Sequence, residues 1–200
     1  MQKPTNGDMA RLKRIARYLY LHPRAVFKYP HQYFPNSLTV YSDSNWANCL
    51  RTRKSTQGGA TMFGSHCTKS WASTQAIISL SSGEAEYYGV VKATSVALGM
   101  QAMLQDMGIS PTIHVYTDAE AARGMATRRG LGRTRHIEVH YLWVQEKVAS
   151  KAIFLHRVKG TANPADLLTK HVDRQTLYNH MAKFNLEYMP GRAKGCPLLD

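Results

Sequence analysis

The sequence predicts an α/β domain whose early strands are antiparallel and whose later strands arrive through crossovers. Three observations lead there. Strand-like runs fill most of residues 38–80. A long helical pattern follows over 82–106. Two strand-like runs, 38–43 and 113–117, lead directly onto acids, Asp43 and Asp118.

The elements read in order as follows. Residues 8–21 suit an amphipathic helix, with Leu12, Ile15 and Leu19 on one side, Arg11, Arg14 and Arg17 on the other, and Asp8 as its cap. His22-Pro23 ends it, and 23–36 read as a linker rich in aromatics. The compact part begins near Leu38. Residues 48–59 read as a basic loop, 59–64 and 69–73 as a hairpin turning at 65–68, and 76–80 as a further strand. Ser81 and Glu84 fit the two ends of a capping box that opens the long helix. Val90, Ala93, Ala97 and Leu104 form its core stripe, and Gly108 its stop. A strand over 113–117, a short helix over 119–126 and a basic glycine-containing stretch come next. A helix over 136–149 and a strand over 152–158 follow. Pro164, after Asn163 as cap, starts a last helix carrying Asp166. The tail, 174–200, reads as helical to about 185 and as disordered beyond Pro190. The expected organisation is thus 1–36 as helix and linker, 37–173 as the main domain, and 174–200 as tail.

Composition narrows the function classes. The 200 residues carry 26 Lys and Arg against 13 Asp and Glu, a formal charge of +13, which points to a polyanionic partner or a solvated basic surface. Hydrophobic residues make up 44%, enough for a core. Cys49, Cys67 and Cys196 share no CxxC spacing, which argues against a disulfide scaffold or zinc ribbon. No apolar run reaches membrane-spanning length, and Arg11, Lys13, Arg14 and Arg17 interrupt any signal-peptide pattern. An intracellular, non-secreted protein without membrane partners is the expectation.

With few acids in the chain, their placement is informative. Parallel neighbouring strands would bring Asp43 and Asp118 together at the sheet end where open α/β sheets place their sites. Glu86 shares the sheet-facing side of the long helix with Val90 and Ala93, and Asp166 lies in the first turn of the final helix. Four converging carboxylates repel each other and resist desolvation, and a hard divalent cation such as Mg²⁺ or Mn²⁺ removes both problems. Periodicity alone equally allows ordinary strand-end and helix-start acids.

A set of ordered blocks goes further. Tyr41-Ser42-Asp43-Ser44-Asn45-Trp46-Ala47, Arg53-Lys54-Ser55-Thr56, Ser70-Trp71 and Leu80-Ser81-Ser82-Gly83-Glu84-Ala85-Glu86-Tyr87 come first. Tyr116-Thr117-Asp118, Arg135-His136-Ile137-Glu138 and Ala165-Asp166-Leu167-Leu168-Thr169-Lys170 follow. Together they resemble the ribonuclease H region of Ty1/copia-type retrotransposon Pol polyproteins, over about two thirds of the chain. Residues 3–19 resemble the helical region that follows the reverse transcriptase palm. With no Tyr-x-Asp-Asp-like motif present, this suggests a C-terminal piece of a larger element product.

The resemblance implies a ribonuclease H-like fold, a mixed five-stranded sheet in the order 3-2-1-4-5 flanked by helices. It implies Asp43, Glu86, Asp118 and Asp166 as catalytic metal ligands for two Mg²⁺ or Mn²⁺ ions. It implies RNA–DNA hybrid as substrate and the reverse transcriptase domain of the same or a related polyprotein as partner. Glu84 competes with Glu86 for the second position, but its capping position gives it a structural role. The loop 159–165 lacks the mobile His of cellular ribonucleases H, which leaves His156 or His171 as substitutes. Arg51, Arg53, Lys54, Arg128, Arg129, Arg133, Arg135 and His136 are candidate backbone contacts, and Trp46 and Trp71 candidate stacking residues. His136 and His140, at helical spacing, lack a third metal ligand and are expected to be structural or solvent-facing. A catalytically silent nucleic-acid-binding remnant is the alternative. An integrase-like nuclease is a weaker one, since the Asp166 block and the hairpin favour ribonuclease H.

Overall fold

In the computed structural model, which describes residues 3–132 and 134–191, period-2 alternation sets the faces of the first long strand. Strand β2 (Ser37–Asn45) buries Leu38, Val40 and Ser42 on one face and turns Thr39, Tyr41 and Asp43 to the other. A short strand, β1 (Ala25–Phe27), precedes it in the chain. The antiparallel strands β3 (Thr56–Phe63) and β4 (His66–Thr74) continue one side of the sheet, with a register shift at Thr61/Met62. On the other side β5 (Thr112–Thr117) pairs parallel with β2, and β6 (Phe154–Arg157) parallel with β5. The spatial order is β4-β3-β2-β5-β6. Counted from β2, that is 3-2-1-4-5, the mixed sheet of a ribonuclease H-like fold.

The principal helix, α2 (Ser82–Asp106), crosses the face bearing Leu38 and Val40. Its Val90, Ala93 and Ala97 form the main core with Leu38, Val40, Ile113 and Val115. Helices α3 (Glu120–Thr127) and α4 (Trp143–Ala149) complete that layer through Ala122 and Val144. The opposite face carries a smaller cluster, Ala60, Met62, Cys67 and Phe184, beneath the end of α5 (Arg174–Lys183).

Several expected boundaries shift for physical reasons. The first helix, α1 (Asn6–Leu21), is capped by Thr5, and Asp8 is the reciprocal partner in the capping box rather than the cap. No residue of α1 is buried. Within the linker, β1 pairs antiparallel with β7 (Leu186–Tyr188), joining it to the tail. Residues 76–80 form no strand. The chain leaves the sheet at Gln75, whose backbone N–H donates to the Ser55 carbonyl and whose side chain donates to the Ala85 carbonyl. The helix expected over 136–149 starts only at Trp143, after a single 3-10 turn at Val139–Tyr141. The final helix with Asp166 is a 3-10 segment, Pro164–Leu168, capped by Asn163 as expected. The part of the tail beyond residue 191, with Cys196, lies outside the described residues.

Gly58, expected in the basic loop, and Gly59, expected where that loop meets the 59–64 strand, both lie inside β3. A Cβ on Gly59 would fall against the Trp71 ring and 2.6 Å from the Tyr41 carbonyl oxygen. On the other face, a Cβ on Gly58 would meet Leu168 at 2.7 Å and Thr169 at 2.8 Å. The missing side chains admit Trp71 to the core and the Asp166 segment to the opposite face. Gly59→Ala is expected to destabilise the domain by about 1–3 kcal/mol through overpacking, read as a lower denaturation midpoint with unchanged slope.

Candidate metal centre

Register builds the site. Tyr41 pairs with Tyr116 across the parallel β2–β5 ladder. Two residues further along each chain lie Asp43 and Asp118, on the same face and at the same end of the sheet. Glu86 reaches them from the first turns of α2, where the Ser44 backbone N–H donates to Glu86 Oε1 at 3.1 Å. One oxygen from each of Asp43, Glu86 and Asp118 lies within 4.8 Å of the other two.

Asp43 has no solvent-exposed surface. Its carboxylate accepts from the Thr169 hydroxyl and, at 3.0 Å, from the Lys170 ammonium. Burial pushes its pKa up despite both partners. Glu86 is raised to about 8, first by burial and then by the charges of Asp43 and Asp118. Its Oε2 is buried and has no hydrogen-bond partner.

The fourth expected acid, Asp166, stands apart from the trio. Its Oδ1 lies 2.9 Å from Lys170 Nζ, so one ammonium bridges Asp43 and Asp166. Burial disfavours that ammonium, but the bonds to Asp166 and Asp43 outweigh it and raise the Lys170 pKa. Asn163 anchors the segment by donating to the Ser42 carbonyl at 2.9 Å while its Oδ1 accepts from the Ala165 N–H. Thr169, Lys170 and the anchoring role of Asn163 lie outside the expected site set. The i,i+4 spacing of Asp166 and Lys170 is the sequence signal for the pair.

Glu84 behaves as a structural residue, though not as half of a capping box. Its carboxylate accepts from Leu80 N–H, Tyr88 OH and His136 Nε2, each at 2.9 Å. Ser81 does cap the helix, accepting from Glu84 N–H. The expected helix-borne His136/His140 pair is absent: His136 bonds Glu84 and His140 pairs with Glu138. His156 lies on β6, bonded to His114 and stacked on Tyr116. His171 is adjacent to Lys170 and lines the same cleft with Asn45 and Asn48.

The candidate nucleic-acid residues divide. Arg51, Arg53, Arg129 and Arg135 are exposed, and none forms an ion pair among the described residues. Lys54 donates to the Ala76 carbonyl at 2.5 Å. Arg128 donates to the Leu131 carbonyl and the Thr134 hydroxyl, both at 2.5 Å, and so closes the basic loop on itself. Trp71 is half-buried and packs against the main core, and Trp46 Nε1 donates to the Ser79 carbonyl at 2.9 Å. Arg133 lies outside the described residues. Among those described, no helix is long and apolar enough to cross a membrane.

Sheet order and carboxylate cluster together define a ribonuclease H-like protein. The curated relatives specify which. Retrovirus-related Pol polyproteins from the Arabidopsis thaliana transposons RE1 and RE2 are 31% and 30% identical over 95% and 98% of the chain. That from the Nicotiana tabacum transposon TNT 1-94 is 30% identical over 68%. The chain belongs to the Ty1/copia-type Pol polyproteins, as their ribonuclease H region. It spans only 10–14% of the length of these relatives. No protein-family model matches it. Among solved structures, the N-terminal RNase H domain of a Mycobacterium tuberculosis protein aligns at 12% identity and TM-score 0.45, covering 73% of this chain and 96% of that one. LC11-RNase H1 aligns at 14% identity and TM-score 0.47, covering 73% and 99%.

Two expectations follow. Folded Glu86 holds its proton to about 8, whereas an ordinary glutamate loses it near 4.5. The folded state therefore binds the extra proton between those values, and its stability falls as pH rises through that window. Thermal melts in a chelator should decline from about pH 5 to about pH 8, and Glu86→Gln should flatten the slope. Glu84→Ala should instead lower stability by about 1–3 kcal/mol by stranding the buried Tyr88 hydroxyl and releasing Leu80 N–H and His136, while leaving divalent-ion binding at the trio intact in calorimetry.

Proposed function

We propose that the chain is a ribonuclease H-type endonuclease that hydrolyses the RNA strand of RNA–DNA hybrids during retrotransposon reverse transcription. The observation that carries this reading is the convergence of Asp43, Glu86 and Asp118 at the carboxyl end of two parallel strands.

The residues suit divalent ions. Every donor is a hard carboxylate oxygen, and Glu86 Oε2 is buried with no protein partner. Asp43, Glu86 and Asp118 would hold one Mg²⁺ or Mn²⁺, and Asp43 with Asp166 a second. Such ions, when bound, activate a water for attack on phosphorus and neutralise charge on the leaving oxygen.

The chain itself does the positioning. Ser44 N–H fixes one oxygen of Glu86, and the other is buried with no hydrogen-bond partner. Thr169 orients Asp43 from the opposite face, and Asn163 ties the Asp166 segment to the β2 backbone. Exposed Arg51, Arg53, Arg129 and Arg135 supply phosphate contacts without base preference. The His136–Glu84 bond holds the Arg135 segment against the start of α2, two residues from Glu86. Hybrid would be selected by duplex shape and 2′-hydroxyl contacts. For α1, whose Leu12, Ile15 and Leu19 are all exposed, the reverse transcriptase region of a Pol polyprotein is the partner we propose.

Purified chain with Mg²⁺ or Mn²⁺ is expected to cut the RNA strand of a labelled hybrid, leaving 5′ phosphate and 3′ hydroxyl ends. Asp43→Asn and Asp118→Asn should each lower the rate about a hundredfold or more, roughly 2.7 kcal/mol of transition-state stabilisation, while remaining folded. A folded wild-type chain that binds hybrid without cutting it would establish the silent binding module instead.

A further inference from the structure

The Asp43–Asp166 half of the site already contains a cation. Lys170 Nζ lies 3.0 Å from Asp43 Oδ1 and 2.9 Å from Asp166 Oδ1. The Lys170 side chain is 39% exposed, whereas that of Asp43 is wholly buried. The carboxylate is fixed and the ammonium reaches it from solvent on a flexible stem. Beside it, the cleft lined by Asn45, Asn48 and His171 offers open space into which that stem can turn.

The bridged carboxylates are those that the metal reading assigns to the second ion. An ammonium and a divalent ion cannot share them, because like charges about 3 Å apart repel strongly in a partly buried site. The exchange is favourable in charge terms, since one divalent ion balances both carboxylates and one ammonium only one of them. Among the described residues no Lys, Arg or His pairs with Glu86 or Asp118, and Glu86 Oε2 is buried without a hydrogen-bond partner.

We propose that Lys170 is a tethered, displaceable cation: it holds Asp43 to Asp166 in the metal-free protein and swings out to admit a divalent ion to that half of the site. The inference rests on the divalent-ion reading above. It makes the two halves unequal, with ready entry beside Glu86 and Asp118 and contested entry beside Asp166. Lys170 is then a positioning residue that sets the affinity of the second ion.

The test is Mn²⁺ binding to the full chain, followed by electron paramagnetic resonance. Wild type should show a tighter and a weaker site. Lys170→Met should tighten the weaker site about tenfold and leave the tighter one unchanged, and Lys170→Arg should keep it weak. In the wild type, amine acetylation read by mass spectrometry should label Lys170 several-fold faster with saturating Mg²⁺ than with chelator. This arm holds even if Lys170→Met fails to fold. Two Mn²⁺ sites in the wild type with Lys170→Met unchanged or weaker, or labelling indifferent to Mg²⁺, would overturn the role of Lys170 alone. No Mn²⁺ bound by any variant would overturn the divalent-ion reading together with it.

Discussion

Asp43 is wholly buried at the end of the central strand, and a carboxylate in that position needs a positive partner or a proton. Much of the surrounding architecture answers this requirement. The Thr169 hydroxyl and Lys170 ammonium come from the segment after β6, which can approach only because Gly58, opposite Asp43 on β3, has no side chain. Asn163 ties that same segment to the carbonyl of Ser42, the residue before Asp43. From the helical side Glu86 and from the next strand Asp118 bring further carboxyl groups and no positive partner, and burial with these neighbours keeps a proton on Glu86 to about 8. The protein thus neutralises one side of Asp43 with its own ammonium and leaves the other side facing two acids. An asymmetric deficit of positive charge is the physical statement of a cation site.

The fold was legible where a single period governed the pattern. The 82–106 helix matches the observed bounds of α2 because cap, stripe and stop all agree. Strand 38–43 was found with its acid because alternation and burial coincide there. The sheet order came from the family resemblance, since no local signal says which strands become neighbours. Residues 76–80 misled because strand-like composition does not supply a ladder partner, and buried Gln75 turns the chain away instead. The 136–149 region misled because His136 is held by Glu84 outside any helix. Three acids of the site were readable as strand ends and a sheet-facing helix position. The Asp43–Lys170 bond was not, because it joins residues 127 apart through a close approach that depends on Gly58 in β3 having no side chain.

The basic clusters show how charge in a sequence divides between structure and surface. Arg128 and Arg129 are neighbours, yet one guanidinium braces its own loop and the other is exposed. Composition counts both equally, so net charge overstates the cations open to a phosphate backbone. His136 has a comparable internal role. By bonding Glu84 it couples the Arg135 segment to the same helix that carries Glu86. A change in that segment is therefore felt at the helix start as well as at the surface.

The small sheet formed by β1 and β7 has a consequence for biosynthesis. It pairs Ala25 with Tyr188, so the whole five-stranded domain lies between its two strands in the chain. On the ribosome, β1 emerges early and its partner emerges only after the central sheet is complete. The hairpin of β3 and β4 can close locally, but β1 must wait, with its edge open, until the residues of the five-stranded domain have followed it. The Tyr188 ring, against which His22 stacks at 4.2 Å, then brings the end of α1 into place in the same late step. The β1–β7 pair thus closes only after the five-stranded domain between its strands, and α1 takes its place against Tyr188 in the same step.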